Sequence, residues 1–388
     1  MESIVQNGPI SRASIAKQTG LSKQTISDVM RQLEEEGWVI ETGRTSGHVG
    51  RTALTYEIEP SAAYIVAVDL GGTKVRVAIC DLATRIIAEM TEPTQAEDAR
   101  AVVSQIARIT RAVAQKGGVT SDKIRIGVVG VPGAPQTATG RVLLAPNIAG
   151  FDMLDVASAL QDALGFDVML ENDVNLAVLG ESWLGSGEGV ENLAYIAIGT
   201  GIGSGLMLNG QLVQGASNAA GEIGFLPLGA DPFEPESLRV GAFERHVASQ
   251  GIMARYRQLT GTDAPVRVIF DRANAGEAPA IEVIEQTARL LAQGIAAIAA
   301  LTNPQKVILG GSIGERPELV ARVVAALPLC FPYPVAVEAG SLGSHAALVG
   351  AAALGLGHLH NALFGTDTPE ARISLPPANA AYLREALQ

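Results

Sequence analysis

The first periodic pattern along the chain is helical and lies between residues 22 and 36. Hydrophobic side chains recur there at intervals of three and four residues, at Ile26, Val29, Met30 and Leu33. This spacing predicts a helix that buries all four side chains along one stripe, and Ser22 stands where it can cap that helix. A shorter helix is predicted over residues 12–19, because Ser11 can cap its start and Gly20 suits a left-handed turn at its end.

The pattern then changes from helical to extended. Residues 37–40 begin a strand, residues 42–52 are rich in glycine, serine and arginine, and alternating hydrophobic positions follow at Leu54, Tyr56 and Ile58. This arrangement predicts a two-stranded wing whose tip carries Arg44, His48 and Arg51. Two short helices followed by a wing predict a winged helix-turn-helix DNA-binding domain over residues 1–60.

The polar side chains of this domain are suited to DNA. The first turn of a recognition helix reaches base edges, so Gln24 can pair with an adenine and Lys23 with a guanine or a phosphate. The predicted DNA-binding set is Ser22, Lys23, Gln24, Thr25, Ser27, Arg31, Arg44 and Arg51. The alternative is a helical pair that contacts protein. A winged head normally has a full first helix, whereas only residues 1–6 precede the turn at 7–9 here. We therefore expect either a truncated start or a head that leans on the body or a partner.

A strand–loop–strand unit occurs twice in the rest of the chain. An apolar run at 64–68 leads into the glycine turn 69–74, and the glycine-rich loop 199–205 divides the apolar stretch 193–208. A third glycine turn, within 306–314, joins a strand to a helix. Such turns let backbone N–H groups approach phosphate oxygens, and an aspartate beside them can hold hydrated Mg²⁺. The predicted nucleotide-binding set is Asp69, Gly71, Gly72, Thr73, Lys74, Gly199, Thr200, Gly201, Gly203, Gly310 and Gly311.

Composition limits the class of protein. The chain has 388 residues, 47% hydrophobic and 18% charged, which allows two or three globular domains. Its net charge of −12 argues against nucleic-acid binding by the whole surface. We find no leader and no apolar run of membrane-spanning length, so we expect a cytoplasmic protein without a membrane partner. Cys80 and Cys330 lie in apolar surroundings, and we expect both to be buried free thiols.

In this order and spacing, the three glycine turns resemble the ROK family (repressor, open reading frame, kinase). The resemblance runs from about residue 8 to about residue 356. It implies the two-lobed sugar-kinase and actin-like (ribonuclease H-like) ATPase fold, so the fold class is α/β with an N-terminal winged helix-turn-helix. The domains expected are the head at 1–60, a first lobe at 61–172, a second lobe with a sugar pocket at 173–356, and a tail at 357–388 that can pack back on the first lobe.

The resemblance also implies a sugar site. In the family's kinases, an aspartate at the position of Asp173 accepts the proton of a sugar hydroxyl, a role that suits a positioned carboxylate. Neighbouring motifs are similar to those of the family's other sugar-contacting residues. The implied sugar-binding set is Asn147, Asn172, Asp173, Glu222 and Glu244. A structural alternative is that Asp173 or Asn175 caps a helix.

One motif departs from the family. Its members usually follow the Gly-Glu-x-Gly motif, here residues 221–224, with a histidine and then a cysteine cluster, and these bind structural zinc. This chain has Phe225 at the histidine position, and residues 226–243 contain neither cysteine nor histidine. Because zinc needs about four suitable ligands, we predict no zinc and a reshaped sugar pocket. His246 alone is expected at the surface.

The predicted head and the resemblance together imply a sugar-responsive transcriptional repressor that binds an inverted repeat as a homodimer or homotetramer. The alternative is an ATP-dependent sugar kinase with an appended DNA-binding head, and a third hypothesis is a regulator controlled by a protein partner. DNA binding is expected to need no cofactor, whereas ATP and Mg²⁺ would serve the kinase. After Leu356, the residues around His358 and His360 are expected to be irregular, before a short helix at about 379–387.

Overall fold

The computed structural model has an N-terminal three-stranded sheet with three helices, followed by two five-stranded sheets. It describes residues 1–44, 53–83, 85–136, 138–145 and 148–364. His48, Arg51, Asn147 and the segment 365–388, which includes the helix predicted at its end, lie outside the described residues.

The N-terminal domain has the predicted helix-turn-helix and wing strands. Its elements are α1 (Glu2–Asn7), β1 (Ile10–Ser11), α2 (Arg12–Thr19), α3 (Lys23–Glu35), β2 (Val39–Arg44) and β3 (Leu54–Ile58). Ser11 Oγ accepts the Ser14 N–H and Ser22 Oγ accepts the Thr25 N–H, both at 3.1 Å, and Gly20 is left-handed with φ of 71°. Both predicted caps and the glycine turn are therefore confirmed.

The buried stripe of α3 is narrower than predicted. Ile26 and Met30 are buried in the head's core, Leu33 is half-buried, and Val29 is 43% exposed. Residues four apart lie nearly above one another on a helix, whereas Val29 points about 100° away from Met30. The prediction that Val29 is buried was therefore wrong.

The first large sheet has the order β10-β7-β4-β5-β6, with β4, β7 and β10 parallel to one another. Its strands and their associated elements are β4 (Tyr64–Leu70), β5 (Lys74–Asp81), β6 (Ile86–Pro93), α4 (Ala99–Gly117), β7 (Ile124–Val131), β8 (Ala134–Pro135), β9 (Val142–Leu143), α5 (Val156–Leu164) and β10 (Asp167–Asn172). Val66 and Val68 pack towards α4 and α5, while Ile65 and Ala67 pack into the opposite core. Burial on both faces explains the continuous apolar run of β4.

The second large sheet repeats this topology, with the order β13-β12-β11-β14-β15. The remaining elements are α6 (Asp173–Leu184), β11 (Leu193–Ile198), β12 (Ile202–Leu208), β13 (Gln211–Leu212), α7 (Pro235–Val240), α8 (Glu244–Val247), α9 (Ser249–Thr260), α10 (Val266–Asn274), α11 (Ala278–Thr302), β14 (Lys306–Gly310), α12 (Gly311–Gly314), α13 (Pro317–Ala326), β15 (Ala336–Ala339) and α14 (Ala346–Phe364). In each sheet an antiparallel hairpin, β4–β5 or β11–β12, is followed by two parallel strands. The predicted duplication is confirmed.

Helices α6 and α14 lie between the two sheets and pack closely on each other. Helix α14 contacts β4 and β7, and α6 contacts β11 and β12. The close approach depends on glycine, because a Cβ at Gly180 would overlap the carbonyl oxygen of Ala346, and a Cβ at Gly350 would overlap that of Leu176. None of the helices in the described residues combines the length and hydrophobicity that a bilayer crossing requires.

Two predictions about the outer parts of the body were wrong. His358 and His360 belong to α14, which continues to Phe364 because its apolar residues pack against the first sheet. Cys330 is exposed, whereas Cys80 is buried on β5 as predicted. Cys330 directly follows a 3-10 turn over Leu327–Leu329, of which only Leu327 reaches the core.

The head contacts the body through the turn after α3. Trp38 packs both on the head's core and on the core that α6 and α14 share with the first sheet. Its carbonyl oxygen accepts the Glu59 N–H at 2.9 Å, and the Pro60 carbonyl accepts the Leu82 N–H at 3.1 Å. The head is thus held to the first lobe by side-chain packing and by the backbone of the connecting segment.

Candidate functional site: an acidic cleft and an exposed recognition helix

A cleft of about 1720 Å³ opens between the two large sheets. Both glycine hairpin loops line it, as does the start of α6. The predicted residues that line it are Asp69, Gly71, Gly72, Thr73, Lys74, Asn172, Asp173, Gly199, Thr200, Gly201, Gly203, Glu222, Glu244 and Gly311. Residues taken from distant parts of the sequence therefore converge on one site.

The turn between β4 and β5 forms one wall of this cleft. The Gly71 N–H donates to the Lys74 carbonyl at 2.9 Å, and Thr94 Oγ1 donates to the Gly71 carbonyl at 2.7 Å. These bonds hold the turn while Thr73 and Lys74 remain exposed. Asp69 is the penultimate residue of β4, just before the turn, and burial raises the pKa of its carboxyl group.

Glu244, the first residue of α8, contacts the loop between β11 and β12 on the opposite wall. Its Oε2 accepts the Ile202 N–H at 2.9 Å, and a Cβ at Gly201 would lie only 2.7 Å from that oxygen. The loop is also tied to α9, because the Ser249 N–H donates to the Gly199 carbonyl at 3.0 Å. A residue that was predicted to bind the sugar thus contacts the loop that was predicted to bind the nucleotide.

Asn172, rather than Asp173 or Asn175, caps helix α6. Asn172 Oδ1 accepts the N–H groups of Val174 at 2.9 Å and Asn175 at 3.0 Å, and its Nδ2 donates to the Gly133 carbonyl at 2.8 Å. The capping alternative was therefore wrong about the residue. Capping by Asn172 places the Asp173 carboxylate at the first turn of α6, where it lines the cleft.

Burial raises the pKa of several carboxyl groups in the cleft. Burial, with the nearby charge of Asp69, raises the pKa of Asp173 to about 7. Burial also raises the pKa of Glu222, and the nearby charge of Glu244 raises it further. Burial raises the pKa of Glu244 as well, although the hydrogen bond from the Ile202 N–H lowers it in part. Carboxyl groups that line one cleft can bind a ligand that offers several hydroxyl donors.

Gly310 and Gly311 have different surroundings. A Cβ at Gly310 would overlap the Tyr195 hydroxyl, so this glycine allows Tyr195 to pack on β14. Gly311 has φ of 77° and lines the cleft, which also contains Ser312 and Glu315. Burial raises the pKa of Glu315. Sequence reasoning missed Glu315, although its position four residues after Gly311 places it one helical turn from that glycine.

The segment after Gly224 is held by an arginine. Arg245 Nη1 donates to Glu234 Oε2 and to Ser237 Oγ, both at 2.6 Å, which ties α7 to the start of α8. Phe225 is 40% exposed and lines the cleft. His246, expected at the surface, instead lines the cleft and lies 3.2 Å from Arg255 Nη2, and burial lowers the pKa of its imidazole.

We expect the purified protein to contain far less than one zinc per chain. Phe225 stands at the position where the family resemblance implies a zinc-binding histidine, and within the described ranges no three His, Cys, Asp or Glu side chains are grouped to hold a metal ion. Elemental analysis of tag-free protein measures the zinc content directly. One zinc per chain that survives dialysis against a weak chelator would contradict this prediction.

The recognition helix presents most of its predicted DNA-binding residues to solvent. Lys23, Gln24, Thr25 and Arg31 are exposed. Two hydroxyl groups of the set serve the helix itself, because Ser22 Oγ is the cap and Ser27 Oγ donates to the Lys23 carbonyl at 2.9 Å. Arg44 is the last residue of β2, at the base of the wing. Sequence reasoning did not include Asp28, which lies among these residues.

Comparison with known proteins agrees with this architecture. A family model described as "ROK family" matches residues 65–357, and one described as "Winged helix-turn-helix DNA-binding" matches residues 1–40. A putative xylose repressor of Caldicellulosiruptor sp. (strain Rt8B.4) is 26% identical over 91% of this chain and 93% of its own length. A glucokinase of Halalkalibacterium halodurans is 30% identical over 66% of this chain and 82% of its own length.

The fold also matches a solved structure along most of its length. The crystal structure of a ROK family transcriptional regulator, a homologue of the E. coli MLC protein, covers 90% of this chain and 92% of its own, with a TM-score of 0.73 and 23% identity. The likeness includes both the head and the body, since so little of either chain is left uncovered.

Proposed function

Because the chain belongs to the ROK family, we propose that it is a sugar-responsive transcriptional repressor. The head binds operator DNA, and a sugar in the cleft lowers the affinity of the head for that operator. One observation carries this proposal: the wall of the cleft is connected to the head by packed helices. A kinase with a merely appended head would need no such connection.

The connection begins at Asp173, the first residue of α6. A sugar that bonds both Asp173 and Glu222 would pull on the start of α6 and displace that helix. Because Gly180 and Gly350 bring α6 and α14 into backbone contact, a displaced α6 must move α14. Trp38 packs on the core that contains α14, so the orientation of the head changes with it.

The proposed operator is an inverted repeat bound by a homodimer or homotetramer. Two recognition helices related by a twofold axis read half-sites one helical turn apart, so a small rotation of the heads disturbs both contacts. A repressor must reach its operator, so we expect the protein in the cytoplasm, together with the genome. The relatives named for xylose repression support a sugar as the effector.

The alternative is an ATP-dependent sugar kinase, and the glucokinase relative supports it. Thr73, Lys74 and the loop 199–201 would hold the phosphates, and Mg-ATP would supply the phosphoryl group. The glycines leave space for these phosphates. However, the Ile202 N–H already donates to Glu244 Oε2, so it is not available to a phosphate oxygen. A coupled ADP-release assay over hexoses, pentoses, amino sugars and polyols tests this alternative, which turnover would favour.

The proposal is tested by measuring operator affinity with and without sugars. The full-length protein first selects its operator from genomic fragments, and fluorescence anisotropy then follows binding across the same sugar panel. We expect one sugar to weaken operator binding by about 5- to 150-fold, the usual range for coupled sites. A protein that selects no DNA at low salt would contradict the regulator function. Selective DNA binding that no sugar alters would favour control by a protein partner.

We expect Trp38→Ala to uncouple the two sites. The variant should still bind the sugar, but the sugar should change its operator affinity by less than about threefold, because the contact between head and body is lost. Tyr333→Ala, at an exposed aromatic residue of the second lobe, is the matched control. If the control keeps its response and Trp38→Ala keeps it too, the proposed connection is wrong.

A further inference from the structure

The exposed face of α3 carries a carboxylate between two predicted DNA-reading side chains. Gln24, Asp28 and Arg31 are separated by four and three residues, so they lie along one side of the helix. Asp28 Oδ2 accepts Gln24 Nε2 at 3.2 Å, and Asp28 Oδ1 accepts Arg31 Nη2 at 3.1 Å. The side chains of Asp28 and Arg31 are 51% and 67% exposed. The three form a hydrogen-bonded row on the surface expected to enter the major groove.

The helix does not depend on Asp28 for its fold. Ser22 caps its start, and Ile26 and Met30 anchor it in the core. An exposed ion pair at this spacing contributes little to the stability of the helix. By contrast, Glu34 has a structural partner, because Arg12 Nη2 donates to its Oε2 at 2.7 Å and so ties α2 to α3. Asp28 is therefore a negative charge on the face expected to meet DNA, and the packing of the helix does not require it.

A carboxylate in the major groove is selective by repulsion as well as by bonding. It accepts hydrogen bonds but donates none, so the base groups that satisfy it are exocyclic amines, N4 of cytosine above all. Where such an amine is absent, the carboxylate stays desolvated beside the phosphate charges. By engaging Gln24 and Arg31, it also limits the rotamers from which they can approach neighbouring bases or phosphates.

We propose that Asp28 is a specificity-determining residue of the DNA interface, which accepts a hydrogen bond from the exocyclic amine of one base in each half-site and disfavours DNA that lacks it. This inference rests on the proposed function, because it requires that the head bind DNA. It adds to that function a selection against wrong sequences, which the basic residues of the head cannot provide.

The experiment selects binding sites from a randomised duplex library with full-length protein. Wild type, Asp28→Ala, Asp28→Asn and Glu35→Gln are compared. The last removes an exposed acid at the far end of the same helix and is the matched charge control. Each protein's affinity for the wild-type consensus and for a scrambled duplex is then measured from 50 to 300 mM salt, and circular dichroism verifies that each variant is folded.

For Asp28→Ala we expect about tenfold tighter binding to the scrambled duplex and a specificity ratio that falls at least tenfold. At one position of the consensus, the preference for cytosine or adenine should disappear. The base whose preference disappears is the one whose exocyclic amine donates to Asp28. The salt dependence should steepen by at most about one phosphate contact. Asp28→Asn should shift that position towards adenine, because an amide pairs with the adenine edge. Glu35→Gln should leave the consensus unchanged.

The two levels of the proposal fail in different ways. If wild type selects no consensus, the proposed function itself is wrong. If wild type selects a consensus that Asp28→Ala and Asp28→Asn also select at every position, the role of Asp28 is wrong and the regulator function stands. If Asp28→Ala binds consensus and scrambled DNA more tightly than wild type by the same factor, the proposal is likewise wrong, because the charge of Asp28 then weakens DNA binding in general and selects no sequence.

Discussion

Replacing Asp173 by asparagine is expected to lower the affinity for the sugar ten- to a hundredfold. The change keeps the shape and one acceptor but removes the charge, and a hydrogen bond to a charged acceptor contributes about 1.5–3 kcal/mol. Each 1.4 kcal/mol is about tenfold in affinity. Calorimetry of the sugar identified by the operator assay measures the loss, and operator binding without sugar should not change.

Asp152→Asn provides the matched control, because Asp152 also lines the cleft but is exposed at its rim. This control should bind the sugar about as well as wild type does. If both variants bind like wild type, Asp173 is not a sugar contact. In a working kinase, by contrast, Asp173→Asn should abolish ADP release with a smaller effect on sugar affinity, since the aspartate then serves as the proton acceptor.

The same residue predicts a pH dependence. The pKa of Asp173 is raised from 3.8 to about 7 in the folded protein, so the folded state holds this proton more tightly than the unfolded state does. Its contribution to stability is therefore present at low pH and is lost as the pH rises from about 4 to 7. Asparagine cannot ionise, so Asp173→Asn should gain stability over wild type by on the order of 2–4 kcal/mol between pH 4 and pH 8.

Urea unfolding of the ligand-free proteins at several pH values measures this difference. The sugar affinity of wild type should fall as the pH drops below about 7, because the charged acceptor is lost, whereas that of Asp173→Asn should stay level. A wild-type affinity that does not vary between pH 5 and 8 would mean that the charge of Asp173 takes no part in binding.

Gly350→Ala is expected to destabilise the body by about 2 kcal/mol and to weaken the response of the operator complex to sugar. The new methyl group would overlap the carbonyl oxygen of Leu176, which belongs to the backbone of α6 and cannot rotate aside. Overpacking of this kind costs about 1–3 kcal/mol, and the better helix propensity of alanine offsets up to about 1 kcal/mol. Chemical unfolding followed by circular dichroism gives the stability, and the anisotropy assay gives the response.

Gly117→Ala is the control for this substitution. Gly117 is the last residue of α4, and its added methyl group would meet the Ile87 side chain at 3.0 Å instead of overlapping backbone. A change below about 1 kcal/mol is expected there. If Gly350→Ala unfolds at the same urea concentration as wild type and responds fully to sugar, the backbone contact between α6 and α14 does not transmit the signal.

Local patterns predicted the elements because local rules govern them. Ser11, Ser22 and Gly20 bound the two head helices as expected, since capping and left-handed turns involve only residues close in sequence. The turns at 69–74 and 199–205 were also predicted, because only a glycine-rich loop between two apolar strands reads as a hairpin of this kind. The repeated order of such units predicted two sheets of one topology.

The errors concern burial and partners. Hydrophobic spacing put Val29 in the core, but the neighbours on α2 and β3 cover only the side of α3 that carries Ile26 and Met30. A lone histidine, His246, was expected at the surface, but it is half-buried in the wall of the cleft beside Arg255. No periodicity in the sequence reports which distant element covers a side chain.

The sequence by itself determined that this chain joins a winged helix-turn-helix head to a duplicated, ROK-like body, and it identified most of the acidic and glycine residues of the cleft. Those properties follow from spacing, capping and residue chemistry, which act over a few positions. The tertiary structure alone decided that Glu244 bonds the Ile202 N–H, that Gly180 and Gly350 bring two distant helices together, and that Trp38 joins two cores. Such contacts depend on how whole elements pack, because the energy of a close approach is realised only when both surfaces are in place.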